Sequence, residues 1–180
     1  MPSHEPDSAP IKVLVVDDHP VFRRGVVTLL ESEPDIAAIG EVGSVDAALA
    51  WLDQARADVV LLDNNLPGGN GIPNMPHLFA RQRDLQAVIL TICDRDDEFL
   101  EAIRFGACGY VLKDASPERL IDSVRNAANH EVRISERMVR DFLKHQEQRN
   151  ASSRSHFQSA IQVAPREREL LANLCRGYSN

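Results

Sequence analysis

The segment VLVVDDHP, residues 13–20, combines a strand-like apolar run with two adjacent acidic residues. Four apolar residues predict a buried β-strand, and the strand ends at two adjacent carboxylates, Asp17 and Asp18. Two unit charges about 4 Å apart repel each other by roughly 4 kcal/mol at an effective dielectric near 20. The sequence must therefore supply a positive partner for this acidic pair elsewhere in the chain.

Strand-like and helix-like patterns alternate along the sequence. Five short apolar runs predict strands buried on both faces, at residues 13–16, 36–39, 59–62, 88–92 and 110–112. Apolar residues at helical spacing occupy the segments between and after these runs. This alternation predicts an α/β fold, a doubly wound five-stranded parallel sheet with helices on its faces.

The segment GIPNMPHLFARQRD, residues 71–84, is an exception to the regular pattern. It contains Pro73 and Pro76, and a proline inside a helix removes a backbone hydrogen bond. We expect a third helix that starts near these prolines and is shortened or displaced.

Polar side chains stand at the ends of the predicted strands. Asp17 and Asp18 follow the first strand, Asp63 closes the third, Thr91 lies at the end of the fourth and Lys113 follows the fifth. Because ligands of such sheets bind at the carboxyl ends of the strands, these side chains should meet at one edge. Three carboxylates together suit a hard divalent cation, most plausibly Mg²⁺.

Asp63 is the best candidate for a nucleophile at this edge. It is followed by NNLPGGNG, residues 64–71, whose glycines allow the backbone to approach an anion. A carboxylate in this place can attack phosphorus to give an aspartyl-phosphate. Lys113 and Thr91 would then contact the phosphoryl oxygens.

Four segments together resemble the signature of a known family. DDHPVFRRG (17–25), VVLLDNNLPGGNG (59–71), ILT (89–91) and GACGYVLKD (106–114) are similar to segments of two-component response-regulator receiver domains of the NarL/FixJ type. The resemblance covers roughly residues 11–130. It implies the flavodoxin-like receiver fold and regulation of transcription by phosphorylation.

The resemblance also implies a role for each site residue. Asp63 would accept a phosphoryl group from a sensor kinase histidine, and Lys113 would contact that group. Asp17 or Asp18, together with Asp63 and the carbonyl of Asn65, would hold Mg²⁺. The protein would then be a phosphoacceptor that assists its own phosphotransfer and dephosphorylation, rather than an enzyme.

The same resemblance makes Thr91 and Tyr110 a switch pair. The hydroxyl would move toward the phosphoryl group and the aromatic ring would turn inward behind it, which biases a surface formed by the fourth helix, fifth strand and fifth helix. Ile92 follows Thr91 where small residues are common in the family. We expect this larger side chain to slow loss of the phosphoryl group.

The end of the chain differs from the rest in charge. Residues 1–136 carry 12 basic and 23 acidic side chains, whereas residues 137–180 carry 8 basic and 4 acidic ones. The segment PRERELLANLCRGYSN, 165–180, resembles the start of a LuxR-type helix-turn-helix and stops before the recognition helix. We expect a piece of a longer regulator, with DNA binding left to the missing helix.

These patterns predict four regions and a set of partners. The regions are a flexible N-terminus (1–10), a receiver domain (11–130), a helix and linker (131–164) and the truncated helix-turn-helix (165–180). Expected partners are a sensor histidine kinase, DNA and RNA polymerase for the full-length regulator, and a second copy of the phosphorylated chain. Without an apolar run of about 18 residues, a cytoplasmic protein with no membrane contact is expected.

Two other functions are compatible with the fold. A phosphatase that turns over an aspartyl-phosphate, as in haloacid-dehalogenase-like hydrolases, would have a general acid two residues after its nucleophile, and here Asn65 occupies that position. A phosphorylation-independent interaction module would have the same fold, but its switch residues would not respond to phosphorylation.

Overall fold

The computed structural model describes residues 9–92 and 95–130. Within them, five strands form one parallel sheet in the order β2-β1-β3-β4-β5. The strands are β1 Ile11–Val16, β2 Ile36–Val42, β3 Val59–Asp63, β4 Gln86–Thr91 and β5 Gly109–Leu112. This strand order is the flavodoxin-like one, in which the ligand crevice lies between β1 and β3. The predicted doubly wound sheet is confirmed.

Five helices connect and cover the strands. They are α1 Pro20–Glu31, α2 Val45–Leu52, α3 Gly71–Arg81, α4 Asp96–Arg104 and α5 Pro117–Ala128. Helices α1 and α5 pack on one face, where residues such as Val26, Leu30 and Val124 meet Val15 and Leu61. Helices α2, α3 and α4 pack on the other face, where residues such as Leu52, Met75 and Ala102 meet Leu14 and Leu62. Because apolar side chains cover both faces, strand residues are buried regardless of their direction.

Two helix starts lie where capping chemistry predicts them. Pro20 is the first residue of α1, where its missing N–H removes no hydrogen bond. The hydroxyl of Ser116 accepts the backbone N–H of Arg119 at 3.4 Å, and Pro117 opens α5. Helix α1 follows β1 and helix α5 follows β5, so these two helix starts determine where the chain leaves the carboxyl edge of the sheet.

Helix α3 corrects the expectation of a shortened or displaced helix. It begins at Gly71, runs for 11 residues and contains Pro76 in its interior. Pro73 lies in the first turn, where a helix has no internal acceptor for an N–H. Pro76 removes one backbone hydrogen bond from the helix. Burial of the Ile72, Met75 and Leu78 side chains stabilises the helix enough to offset this loss.

Several predicted segments lie outside the described residues. These are the helix and linker within residues 131–164, the helix-turn-helix start at 165–180, and most of the N-terminal segment 1–10. Among the described residues, no helix combines the length and the apolar character needed to cross a bilayer.

Candidate functional site

Asp17, Asp63 and Lys113 meet at the carboxyl edge of the sheet. Both carboxylates are fully buried, and the side chain of Lys113 is 10% exposed. Lys113 Nζ lies 2.7 Å from Asp17 Oδ2 and 2.7 Å from Asp63 Oδ2. Side chains alternate between the two faces of a strand. Each of the three residues lies two positions after a strand residue that packs against α1 or α5, so all three belong to that face of the sheet. Lys113 is thus the positive partner of Asp17, one member of the acidic pair, and also of Asp63.

The charges at this site are held in a partly desolvated environment. Burial raises the pKa of Asp63 above its ordinary value, although the hydrogen bond from Lys113 opposes this effect. Burial alone would lower the pKa of Lys113, yet the adjacent carboxylates of Asp17 and Asp63 raise it above its ordinary value. Lys113 therefore stays an ammonium, and a further cation would favour the ionised form of Asp63.

His19 joins the acidic cluster and was not predicted from the sequence. Its Nδ1 lies 2.8 Å from Asp18 Oδ1 and 3.4 Å from Asp17 Oδ1, and its backbone N–H donates to Asp17 Oδ1 at 2.8 Å. One ligand atom from each of Asp17, Asp18, His19 and Asp63 lies within 4.8 Å of the others. The only sequence signal for His19 is its place beside the two aspartates.

The donor set fits a hard divalent cation. Lys113 Nζ approaches Asp17 Oδ2 as an ion pair, but this buried oxygen has no hydrogen bond of acceptable geometry within residues 9–92 and 95–130. Asp18 Oδ1, which lies next to His19 Nδ1, is also a buried oxygen without a hydrogen bond of acceptable geometry among these residues. Carboxylate oxygens with unfilled lone pairs, gathered in a crevice, are the ligands that Mg²⁺ takes in proteins. These residues could therefore hold such an ion.

The β3–α3 loop closes tightly over the end of β3. The backbone N–H of Asn65 donates to Asp63 Oδ1 at 3.0 Å, and Asn65 itself is exposed. A Cβ on Gly71 would lie 2.3 Å from the Asp63 carbonyl oxygen, so only glycine allows this approach. Gly68 has a φ of +89°, a conformation that favours glycine. The loop thus places backbone groups next to the carboxylate of Asp63.

Thr91 and Tyr110 lie on the opposite face of the sheet from the buried aspartates. Thr91 is fully buried at the end of β4, and Tyr110 is two register positions away on the neighbouring strand β5. Tyr110 is 6% exposed, and its ring meets Phe99 of α4 edge-on, with centroids 5.5 Å apart. The structure thus places the Tyr110 side chain inside the core beneath α4.

Two residues of α1 support the site and were not predicted to do so. Lys113 Nζ lies 4.8 Å from the ring centroid of Phe22, within range of a cation–π interaction. The guanidinium of Arg23 donates to the backbone carbonyl of Asp17. Both contacts depend on how α1 packs, which the spacing of residues in the sequence does not specify.

Fold and site together define a receiver domain, and comparison with known proteins agrees. Residues 13–125 match the response regulator receiver domain family, and the chain belongs to that family. Its relatives are LuxR-family response regulators of the NarL, NarP and DevR type. The chain is thus a relative of regulators that serve two-component signalling and transcription, and these relatives are not classical enzymes.

Two curated relatives illustrate the similarity in sequence. The DNA-binding transcriptional activator DevR/DosR of Mycobacterium tuberculosis is 38% identical over 170 residues, which cover 94% of this chain and 76% of the relative. The nitrate/nitrite response regulator protein NarP of Escherichia coli is 34% identical over 175 residues, which cover 97% of this chain and 79% of the relative.

Solved structures show the same fold. The signal receiver domain of the putative response regulator NarL from Mycobacterium tuberculosis matches with a TM-score of 0.64 and 29% identity, over 68% of this chain and 98% of that one. A LuxR-family two-component response regulator from Aurantimonas sp. matches with a TM-score of 0.71 and 25% identity, over 77% of this chain and 99% of that one.

Proposed function

We propose that this protein is a phosphorylation-activated response regulator whose phosphoacceptor is Asp63. The observation that carries the proposal is the position of the Lys113 ammonium, 2.7 Å from Asp63 Oδ2 among the acidic side chains. The phosphoryl donor is a histidine of a sensor kinase. Asp17, Asp18, Asp63 and the Asn65 carbonyl would hold Mg²⁺ at this site, and the ion would supply positive charge beside the phosphoryl group.

The transfer uses groups that the fold has already brought together. A carboxylate oxygen of Asp63 attacks phosphorus while the bond from phosphorus to the donor nitrogen breaks, and that nitrogen keeps the electron pair. Lys113 contacts a phosphoryl oxygen and holds it by charge. The buried walls around Asp17 and Asp63 strengthen these interactions, because the local dielectric is lower than that of water.

Thr91 and Tyr110 transmit the effect of Asp63 phosphorylation to the opposite face of the sheet. The hydroxyl of Thr91 donates to a phosphoryl oxygen, which favours the inward position of the Tyr110 ring against Phe99. The surface of α4, β5 and α5 changes in consequence. The full-length regulator then acts on DNA with RNA polymerase, and phosphorylation promotes a homodimer.

Acetyl phosphate and Mg²⁺ test the proposal directly. Intact-mass measurement should find one phosphoryl group per chain in the wild type and none in Asp63→Asn. Asp122→Asn, which changes an exposed carboxylate on α5, is the matched control and should be phosphorylated normally. Continuous release of phosphate would instead favour the hydrolase, and no mass gain would favour an interaction module with a silent switch.

A further inference from the structure

Asn64 links the phosphoacceptor loop to helix α4. The residue is 2% exposed, whereas asparagine is mostly exposed in folded proteins. The side-chain Oδ1 accepts the N–H of Ile72 at the start of α3 at 3.2 Å, and Nδ2 donates to Glu98 Oε2 of α4 at 3.2 Å. The backbone of Asn64 also donates to Leu90 and accepts from Gly71. Asn64 thus joins β3, β4, α3 and α4.

Glu98 is the matching group on the helix. It lies in the first turn of α4 with 19% of its side chain exposed, and Arg95 Nη1 lies 3.6 Å from its other oxygen. A hydrogen bond to an ionised acceptor is stronger than one between neutral groups. The Asn64–Glu98 bond therefore holds the start of α4 against the loop that begins at Asp63.

The next residue of α4 makes the contact with the proposed switch tyrosine. Phe99 follows Glu98 directly and packs edge-on against Tyr110. A shift of the first turn of α4 would therefore move the ring that covers Tyr110. The loop next to Asp63 and the Tyr110 ring are connected by two contacts, Asn64–Glu98 and Phe99–Tyr110.

We propose that Asn64 and Glu98 are positioning residues that couple the phosphoryl site to the inward position of Tyr110. The inference rests on the function proposed above. Their hydrogen bond stabilises the arrangement in which Tyr110 is buried, and occupation of the site favours the same arrangement. By linkage, breaking the bond weakens binding at the site and releases the ring.

Fluorine NMR of the full chain labelled with 3-fluorotyrosine tests the coupling. The chain has two tyrosines, Tyr110 and Tyr178, so a Tyr178→Phe background leaves one signal to follow. Titration with beryllofluoride in saturating Mg²⁺ then gives an apparent Kd for a phosphoryl analogue and the position of the Tyr110 signal.

Asn64→Val and Glu98→Ala should each raise the apparent Kd about five- to tenfold and move the free Tyr110 signal toward that of an exposed tyrosine. The double variant should differ from Asn64→Val by less than about twofold, since Asn64→Val has already removed the bond that Glu98→Ala removes. Glu98→Gln keeps an acceptor oxygen without its charge and should fall between wild type and Glu98→Ala. Asp97→Ala, which removes an exposed acid paired with Arg95 on the same turn, should also stay close to wild type.

Wild-type affinity in both single variants, or effects that multiply in the double variant, would overturn the inference. Should Asn64→Val fail to fold, the contrast between Glu98→Ala and Glu98→Gln decides, because only the former loses the acceptor. Absence of Asp63-dependent beryllofluoride binding in the wild type would instead refute the proposed function, so the two failures are distinguishable.

Discussion

Lys113 is the residue on which the acidic cluster depends for charge balance. In Lys113→Met, two buried carboxylates lose their ammonium partner, and removal of one member of a buried ion pair is strongly destabilising. We expect a loss of about 3 kcal/mol in the free energy of unfolding, measured by urea denaturation in EDTA. Mg²⁺ should restore part of it, because the ion replaces the lost positive charge.

The exposed Lys12 provides the control for this change. Lys12→Met also removes one positive charge, but from the surface, so its stability should remain within about 0.5 kcal/mol of wild type. A Lys113→Met protein as stable as Lys12→Met would contradict the role assigned to Lys113.

We expect Ile92 to shield the site from water in the phosphorylated protein. The residue is 70% exposed and directly follows the buried Thr91 at the edge of the sheet. Ile92→Ala should lose its phosphoryl group up to roughly tenfold faster, which corresponds to about 1.4 kcal/mol of barrier. The half-life after removal of acetyl phosphate measures this. The half-life of Ile92→Val should lie between those of wild type and Ile92→Ala. An Ile92→Ala half-life equal to that of wild type would show that Ile92 does not shield the phosphoryl group.

Sequence reasoning located the cluster residues for a simple geometric reason. Asp17, Asp63 and Lys113 stand at the ends of parallel strands, and such ends share one edge of a sheet. His19 and Asn64 were missed because their contacts depend on the paths of short loops. Asn64 in particular reaches Glu98 across 34 residues of sequence, a pairing that no local pattern indicates.

Helix α3 is the element whose course the sequence predicted least well. The prolines suggested interruption, but burial of Ile72, Met75 and Leu78 outweighs one missing hydrogen bond. Strand β2 was also underestimated, since it runs to Val42 beyond the apolar run at 36–39. Most of its side chains are only partly buried at the edge of the sheet, so the hydrophobic signal fades before the strand ends.

The two prolines of α3 make a matched pair for a stability measurement. Pro76→Ala restores a backbone donor in the helix interior at an exposed position and should raise the free energy of unfolding by about 1–3 kcal/mol. Pro73→Ala, in the first turn, restores an N–H with no acceptor within the helix and should change stability little. Urea denaturation of both variants measures the difference, and equal stabilities would show that the lost hydrogen bond is not the cause.

In residues 9–92 and 95–130, buried charge is confined to the carboxyl edge of the sheet. Among the described residues, the fully buried acids are Asp17 and Asp63, and the remainder of the core is almost entirely apolar. Buried ionised groups are weak contributors to stability compared with apolar side chains of similar size. The fold therefore maintains these carboxylates at the expense of stability, as functional sites commonly do.

The pH dependence of stability tests this trade-off through Asp63. Burial raises its pKa above the ordinary value of 3.8, despite the hydrogen bond from Lys113. Between 3.8 and the raised value, the folded protein keeps a proton that the unfolded chain has released. The free energy of unfolding contributed by Asp63 therefore falls as the pH rises through this interval and stays low above it.

Asp63→Asn removes this contribution, so the stability of the variant relative to wild type in EDTA should rise as the pH rises from 3.8 and level off above the raised pKa of Asp63. Urea denaturation across this range measures the difference, with Asp122→Asn, which changes an exposed carboxylate, as the control measured in parallel. Added Mg²⁺ should stabilise the wild type, whose ionised carboxylate can bind the ion, and should stabilise the variant much less. Parallel pH curves for wild type and Asp63→Asn would mean that burial of this carboxylate carries no energetic penalty, and the trade-off between site and stability would have to be sought in Asp17 instead.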